Sequence, residues 1–553
     1  MKKKESFPTN RLAESFAATT DAEPAAHTIF QSIDANGRDH ISVGQFWSRL
    51  AQVGILPDDP RLRDVHRLLA VATSPSSLAA DASAPLPFDT FRELLSTSEL
   101  VRAALTSNVS VPNFADFMAD LRAIYEEVLP NHEGAVADYI PQLAKVNPEQ
   151  FAVAICTVDG QRFALGDSDV RFCLQSTCKP INYALALEEL GEDKVHQHIG
   201  REPSGHSFNA ITLNERGLPH NPLINAGAIM CCSLIGRGLP AADRFDYVLD
   251  AWQQLAGGAR PGFNNAVYLS ERETADRNSA LAYFMREKGA FPDKSDNLNN
   301  ILEFYFQCCS IELTTRELAT VAATVANAGV CPLTGARSLQ PGTVKNVLSL
   351  MYSCGMYDFS GEFAFQVGLP AKSGVSGGIW VVIPNLMGIC IWSPRLDGNG
   401  NSVRGIEFCR RLVERYLFHV YDSIGGSSQS KKDPRLAKGE DHARDMLMLI
   451  TAAVNGDLPS LQHLEARGVD LNGGDYDRRT ALHLAASEGQ LEVVRYLLAR
   501  EVDVNPLDRW GGTPLDDAHR ENRQTVAELL ASHGAQPGTT LVAASVELAP
   551  TLA

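Results

Sequence analysis

Toward its C-terminus the chain repeats itself every 33 residues. Thr480-Ala481-Leu482-His483-Leu484-Ala485 returns as Thr513-Pro514-Leu515-Asp516-Asp517-Ala518, and Asp470-Leu471-Asn472 returns as Asp503-Val504-Asn505. Asn455-Gly456-Asp457, Glu488-Gly489-Gln490 and Glu521-Asn522-Arg523 keep the same spacing. A fixed period of this size means that one supersecondary unit is stacked on copies of itself, because a single copy cannot bury its apolar face. Residues 441–536 are therefore confined to an all-helical solenoid.

Thr-x-Leu-His-x-Ala inside a 33-residue period is the ankyrin signature. Three units are expected, the outer two imperfect as capping repeats should be. Ankyrin arrays bind proteins and carry no chemistry, so His483 reads as a structural turn residue and the array as a surface for a protein partner of unknown identity.

At 553 residues the chain is too long for one core, and further domains must precede the solenoid. A net charge of −17 excludes a general nucleic-acid binder, which needs a basic face. No run of 18 apolar residues occurs, so no membrane helix is expected. No apolar segment follows the basic start Met1-Lys2-Lys3-Lys4, which excludes a secretory signal peptide. The 11 cysteines contain no Cys-x-x-Cys and sit in apolar surroundings. That usage fits a reducing compartment, and a cytoplasmic location is expected.

Residues 1–24 are polar and expected to be mobile. Residues 25–130 carry helical periodicity through Ile29-Phe30, Phe46, Leu50, Phe88, Phe91 and Leu94-Leu95. Between the first two helices, Asp34-Ala35-Asn36-Gly37-Arg38-Asp39-His40-Ile41 looks like an EF-hand loop. Arg38 stands at the fifth position, Asp39 replaces the turn glycine, and Gln45 replaces the bidentate glutamate. A degenerate EF-hand-like domain without calcium is expected. Residues 423–440 read as a polar linker and 537–553 as a disordered tail.

Residues 138–422 mix strands (151–156, 379–383, 388–392) with long helices. Strands at both ends suggest an α/β domain whose terminal strands meet in one sheet. Inside it stands Gln175-Ser176-Thr177-Cys178-Lys179, followed by a good helix from Ile181. A lysine one turn after a serine lies on the same helical face and can take its proton, help that a weakly nucleophilic hydroxyl needs. The same Ser-x-x-Lys pair begins acyl transfer in β-lactamases. The bland alternative is an N-cap serine with a solvated lysine, and an accidental copy, Ser428 to Lys431, lies in the linker. Lys372-Ser373-Gly374 resembles the Lys-Thr-Gly strand of the same enzymes, and its glycines leave the Val375 N–H bare as an oxyanion donor beside that of Ser176. A glycine-rich bulge remains the alternative for that stretch. Asn225 sits among small residues, and Glu271 and Asn278, seven apart, are expected two turns along one helical face. Buried amides and carboxylates need partners, which an amino-acid substrate would supply.

Tyr139-Ile140-Pro141-Gln142-Leu143-Ala144, Gln175 to Lys179, His220 to Ile229, Glu271 to Asn278, Phe304-Tyr305-Phe306-Gln307, Ser353 to Gly361 and Pro370 to Gly378 together resemble the serine-dependent glutaminases. The order of EF-hand-like helices, this segment and ankyrin repeats resembles the kidney-type glutaminase architecture. The resemblance implies an α+β, β-lactamase/transpeptidase-like catalytic domain with a mixed sheet flanked by helices. It implies hydrolysis of the L-glutamine side-chain amide through a serine-bound glutamyl ester, with no cofactor and no metal. Ser176 would be the nucleophile and Lys179 its base. The N–H groups of Ser176 and Val375 would hold the oxyanion, and Tyr357 and Tyr305 would relay protons or bind substrate. Tyr139, Gln175, Asn225, Glu271 and Asn278 would hold the amino-acid end, with Glu271 on the α-ammonium and Asn225 with Tyr139 on the α-carboxylate. The loop Gly205 to Leu213 corresponds to one that gates activity in the family. A homo-oligomer, dimer or tetramer, is implied as well. The competing readings are a β-lactamase-like acyl hydrolase and an inactive ankyrin scaffold.

Overall fold

The structure is a computed structural model. It describes residues 22–34, 40–73, 81–207, 209–293, 297–424, 431–436, 440–466 and 469–540. Of the start expected to be mobile, residues 1–21 lie outside these, as do the centre of the EF-hand-like loop (35–39), Phe208, most of the linker with Ser428 of its stray serine-lysine copy (425–430, 437–439) and residues 541–553 of the tail, whereas residues 22–24 already belong to the first helix. The chain divides at His419 into two compact units.

The first unit begins with two helix–loop–helix pairs, Ala22–Ile33 with Val43–Gln52 and Arg63–Thr73 with Phe88–Thr97. Two short strands, His40–Ser42 and Pro85–Pro87, join them, with Ile41 opposite Leu86. Phe30, Phe46, Phe91 and Leu94 fill their core. Gln45, at the position where a calcium loop needs a bidentate glutamate, is spent on a capping box. Its side chain accepts from Ser42 N at 2.7 Å while Ser42 Oγ accepts from Gln45 N at 3.1 Å.

The next helix, Phe114–Val128, lies within the segment read from sequence as N-terminal, yet it packs into the catalytic core. Phe117, Leu121 and Ile124 meet Ile155, Phe408 and Leu412. That core surrounds a five-stranded sheet in the order Arg162–Gly166, Ala152–Thr157, Met387–Trp392, Gly378–Ile383, Ala371–Ser373. The terminal strands do meet, with Ile155 opposite Ile389. All four pairings are antiparallel, a narrower arrangement than the mixed sheet expected, because short hairpins join its sequence neighbours. Alternate residues serve opposite faces. Ala152, Ala154, Cys156, Trp380 and Trp392 face the larger helical layer, and Val153, Ile155, Ile379 and Ile391 face Phe114–Val128 and Val403–Arg415. The larger layer contains Lys179–Leu190, Asn225–Leu234, Leu298–Cys309 and Thr315–Ala326.

The N-terminal helices are bound to this sheet through the turn Asp159-Gly160-Gln161. Gln161 is fully buried; its Nε2 donates to Val53 O (2.9 Å) and Val111 O (3.0 Å), and its Oε1 accepts from Val111 N (2.9 Å). Arg61 Nη1 donates to Asp159 O at 2.7 Å.

The second unit holds three helix pairs from Glu440–Asn455 to Gln524–Ser532. Thr480 and Thr513 cap the first helices of successive repeats. His483 Nδ1 accepts from Thr480 N at 3.1 Å and its Nε2 reaches Gly512 O at 3.2 Å, the structural role expected of it. Residues 537–540, assigned to the tail from sequence, pack on the last repeat, where Gly538 N donates to Asp516 Oδ2 at 2.8 Å.

Candidate active site

The strand Arg171–Cys173 runs into a sharp turn at Gln175, whose φ is +48°. A non-glycine residue in the left-handed region stores strain, and such strain concentrates at functional sites. The turn opens the 3₁₀ segment Gln175–Cys178 and then the helix Lys179–Leu190, with Pro180 in its first turn. Thr177 Oγ1 donates to Leu174 O at 2.6 Å, and the Trp380 indole donates to Thr177 O at 3.2 Å, pinning the segment to the sheet.

Every residue from Lys179 to Leu187 is buried, so the lysine in the first turn is not a solvated surface residue. Lys179 is 0 % exposed and donates to Asn225 Oδ1 at 2.7 Å. Burial lowers its pKa, favouring the neutral amine that a base must be. The solvated-lysine alternative is thereby overturned. Asn225, the first residue of Asn225–Leu234, also donates through Nδ2 to Asn278 Oδ1 at 3.0 Å. Asn225 thus ties the lysine to the far wall of the site.

Glu271 and Asn278 do not share a helix. Asn265–Glu273 ends, Thr274 and Ala275 turn the chain, and Asp276–Glu287 begins anew. The two residues reach the site from consecutive helices. Gln175 Nε2 donates to Glu271 Oε2 at 3.2 Å and to Cys309 O at 3.4 Å. Burial pushes the Glu271 carboxyl up to about 7, against the opposing pull of Gln175, Lys179 and the Cys309 thiol.

Tyr357 also has a positive φ, +57°. Burial raises its pKa, while a hydrogen bond with the Ser176 side chain acts in the opposite direction. Ser360 Oγ holds the backbone there, donating to Tyr357 O at 2.7 Å and accepting from Met356 N at 3.0 Å. Tyr305 is buried on Leu298–Cys309, and burial together with Cys309 and Glu271 holds its pKa well above normal. Tyr139 is 52 % exposed, yet burial of its hydroxyl and the nearby Glu271 carboxylate raise its pKa well above normal too. The ring therefore lies across the mouth with its polar end inward.

Val375 sits in the turn between Ala371–Ser373 and Gly378–Ile383, packed with Cys173, Val267 and Tyr357. A Cβ on Gly374 would come within 2.9 Å of Leu174 O and 3.2 Å of Thr177 N. Only a glycine lets this turn lie against the backbone that carries Ser176. Lys372, one strand residue away, donates to Ser373 O (2.6 Å) and Gly355 O (3.1 Å) and lies 4.5 Å over the Tyr357 ring. Its place inside the site is not legible from the Lys-Ser-Gly pattern, although complete burial of a lysine is the signal that marks it in the structure. In the Gly205 to Leu213 segment, Gly205 and His206 line a cavity of about 230 Å³ together with Tyr357, Asp358 and Ser360.

Ser176, Lys179, Asn225, Asn278, Gln175, Glu271, Tyr305, Tyr357, Tyr139 and Val375 are thus linked to one another by hydrogen bonds, packing and electrostatic contact. Residues 134–421 match the profile of the Glutaminase family, more than half of the chain. The chain belongs to the glutaminase family. Residues 25–112 match an EF-hand domain and 449–540 match ankyrin repeats. The glutaminase liver isoform, mitochondrial, of Rattus norvegicus is 44% identical over 504 residues, 91% of this chain and 83% of the rat protein. The glutaminase of Nostoc sp. is 45% identical over 306 residues, covering 55% of this chain and 89% of its own. Among solved structures, the probable glutaminase from Bacillus subtilis complexed with 6-diazo-5-oxo-L-norleucine is 32% identical, with a TM-score of 0.51 over 55% of this chain and 97% of that one. Family membership makes the chain a hydrolase that converts glutamine to glutamate.

Proposed function

We propose that this glutaminase works through a serine ester. Ser176 Oγ attacks the side-chain amide carbon of L-glutamine as Lys179 takes the hydroxyl proton. The new oxyanion is held by the N–H groups of Ser176 and Val375, a donor pair worth roughly 3 kcal/mol per donor. The carbon–nitrogen bond then breaks, and the proton passes to the departing nitrogen through Lys179 or the Tyr357 hydroxyl, so that ammonia leaves. Water adds to the glutamyl ester with the same lysine as base, and glutamate departs as Ser176 regains its proton.

The observation that carries this reading is the complete burial of Lys179 one turn after Ser176, with burial favouring its neutral form. Supporting it, Glu271 offers the only carboxylate among Gln175, Asn225, Asn278 and the tyrosines, and suits the α-ammonium. Asn225 with Tyr139 suits the α-carboxylate. The relative's 6-diazo-5-oxo-L-norleucine, a glutamine-shaped electrophile, is a natural probe for the same cleft. Ammonia release from glutamine by the purified chain tests the reading. Ser176→Ala, folded by circular dichroism, is expected to lose turnover by roughly 10⁴-fold or more; retained turnover rejects it. The ankyrin repeats would recruit a protein partner, with Tyr476 (92 % exposed) and Trp510 (69 % exposed) as natural anchors. The dimer or tetramer implied by the family is checked by light scattering.

A further inference from the structure

A second cavity, of about 240 Å³, has no task in the reaction scheme. Val375 and Cys173, which pack with Tyr357 in the candidate site, belong to its lining as well. Ser176, Lys179, Asn225, Glu271 and Tyr305 do not. An apolar cavity of about 150 Å³ already takes benzene, so this one has room for a molecule the size of a free leucine. Its floor is apolar. Phe172 and Trp392 stack there with ring centroids 5.1 Å apart, and Val170 and Val267 lie in the same lining.

Three polar groups around this floor are unspent. Ser376 is 8 % exposed, and its Oγ has no hydrogen-bond partner among the described residues. The Trp392 indole donates to Ser376 O at 2.9 Å, which fixes the serine backbone and leaves its hydroxyl idle. An idle buried hydroxyl is costly and calls for a partner. Lys145 ends the 3₁₀ turn Leu143–Lys145, and its ammonium has no acceptor among the described residues. Glu312 Oε1 accepts from Asn264 Nδ2 at 2.9 Å, but no cation pairs with this carboxylate among the described residues. Arg171, the other cation of the lining, is already engaged: Nη1 donates to Glu312 O at 3.1 Å and Nη2 to Glu317 Oε1 at 3.0 Å.

A cation, a carboxylate and a hydroxyl donor around an apolar floor select the chemistry of an occupant. Water would satisfy Ser376 and leave the floor bare. A plain carboxylate would leave Glu312 without a cation, and a plain amine would leave Lys145 without an anion. Glutamate would lay a second carboxylate on the floor, where burial of a charge is penalised. A zwitterion with an apolar body meets all four demands.

We propose that this cavity is a binding site for a free α-amino acid with a compact apolar side chain. Its carboxylate accepts from Lys145 Nζ and Ser376 Oγ, its ammonium donates to Glu312, and its side chain lies on Phe172 and Val375. An occupant therefore touches the turn that carries the Val375 N–H. The site goes beyond the serine-ester reading and stands without it, because Lys145, Ser376 and Glu312 take no part in that reaction.

The test is calorimetric titration of the full chain with L-leucine, with and without a saturating excess of L-glutamate to fill the site of the reaction. Leucine is expected to bind in both cases. Lys145→Ala and Glu312→Gln are each expected to weaken binding about tenfold, the usual worth of a hydrogen bond to a charged group. Lys145 is exposed, so Lys145→Ala is expected to release ammonia from glutamine at the wild-type rate when leucine is absent. The keto-acid counterpart of leucine and its decarboxylated amine each lack one charge, and both are expected to bind at least tenfold more weakly than leucine. Absence of leucine binding, displacement of leucine by glutamate, or wild-type affinity in either variant overturns the inference. The serine-ester reading stands or falls on Ser176→Ala, which this titration does not involve.

Discussion

In the proposed mechanism Glu271 joins substrate recognition to pH. Its carboxyl, raised by burial to about 7, is protonated below that pH in the empty site and ionised above it. A glutamine ammonium binds the ionised form, so the KM for glutamine is expected to rise as pH falls through about 7, while kcat at saturation does not follow this group. Glu271→Gln is expected to raise KM by roughly 10²-fold, because it removes a buried charge partner, and to erase that limb from kcat/KM. Steady-state kinetics between acid and neutral pH check both. At this scale Ser176 and Lys179 are legible because the chemistry lies within four consecutive residues and needs only helical spacing. Lys372 is legible as a motif letter but not as a neighbour of Lys179, since a strand and a helix bring them together from positions far apart in the chain. Asn225 illustrates the same limit: small neighbours mark it as buried, but only the fold shows that it grips Lys179 at 2.7 Å.

In the proposed mechanism the turn Gly374-Val375-Ser376-Gly377 is the element that supplies one oxyanion donor, the Val375 N–H. It lies against Leu174 and Thr177 so tightly that Gly374→Ala must push the two apart. That variant is expected to lower kcat by about 10²-fold, the cost of a displaced oxyanion donor, while KM changes little. An unchanged kcat would show that Val375 N–H does not serve the reaction. Strand and helix positions here follow from sequence where punctuation is strong. Pro370 and Gly374 bracket one strand, and Pro384-Asn385 separates the two strands of the last hairpin. The break after Glu273 has no such mark. Glu271 to Asp276 contains neither glycine nor proline, so local pattern suggests one continuous helix. Packing into the site ends it, and Glu271 and Asn278 converge by a turn rather than by helical periodicity.

On the scale of the molecule, the EF-hand domain is built into the catalytic unit. Gln161 saturates three backbone groups of the N-terminal region from a fully buried position. Gln161→Leu leaves those groups unpaired, and each costs about 1–3 kcal/mol. The midpoint of thermal unfolding of the first unit is expected to fall by several degrees with kcat preserved. An unchanged midpoint would show that the N-terminal helices rest loosely on the sheet. The Gln45 side chain is taken up by its capping box with Ser42, and calorimetric titration with calcium is expected to show no binding there. Three regions are legible in sequence because each carries its own period or motif. Their joining is not legible, because Gln161 meets Val53 and Val111 across long stretches of chain and nothing local marks an amide that will serve another segment.

The ester on Ser176 bears most directly on the whole account. Rapid acid quench of the enzyme turning over glutamine, followed by peptide mass spectrometry, is expected to find a glutamyl adduct on the peptide carrying Ser176 and none in Ser176→Ala. A glutamyl adduct on a cysteine such as Cys178 or Cys309, or steady turnover by Ser176→Ala, would contradict it.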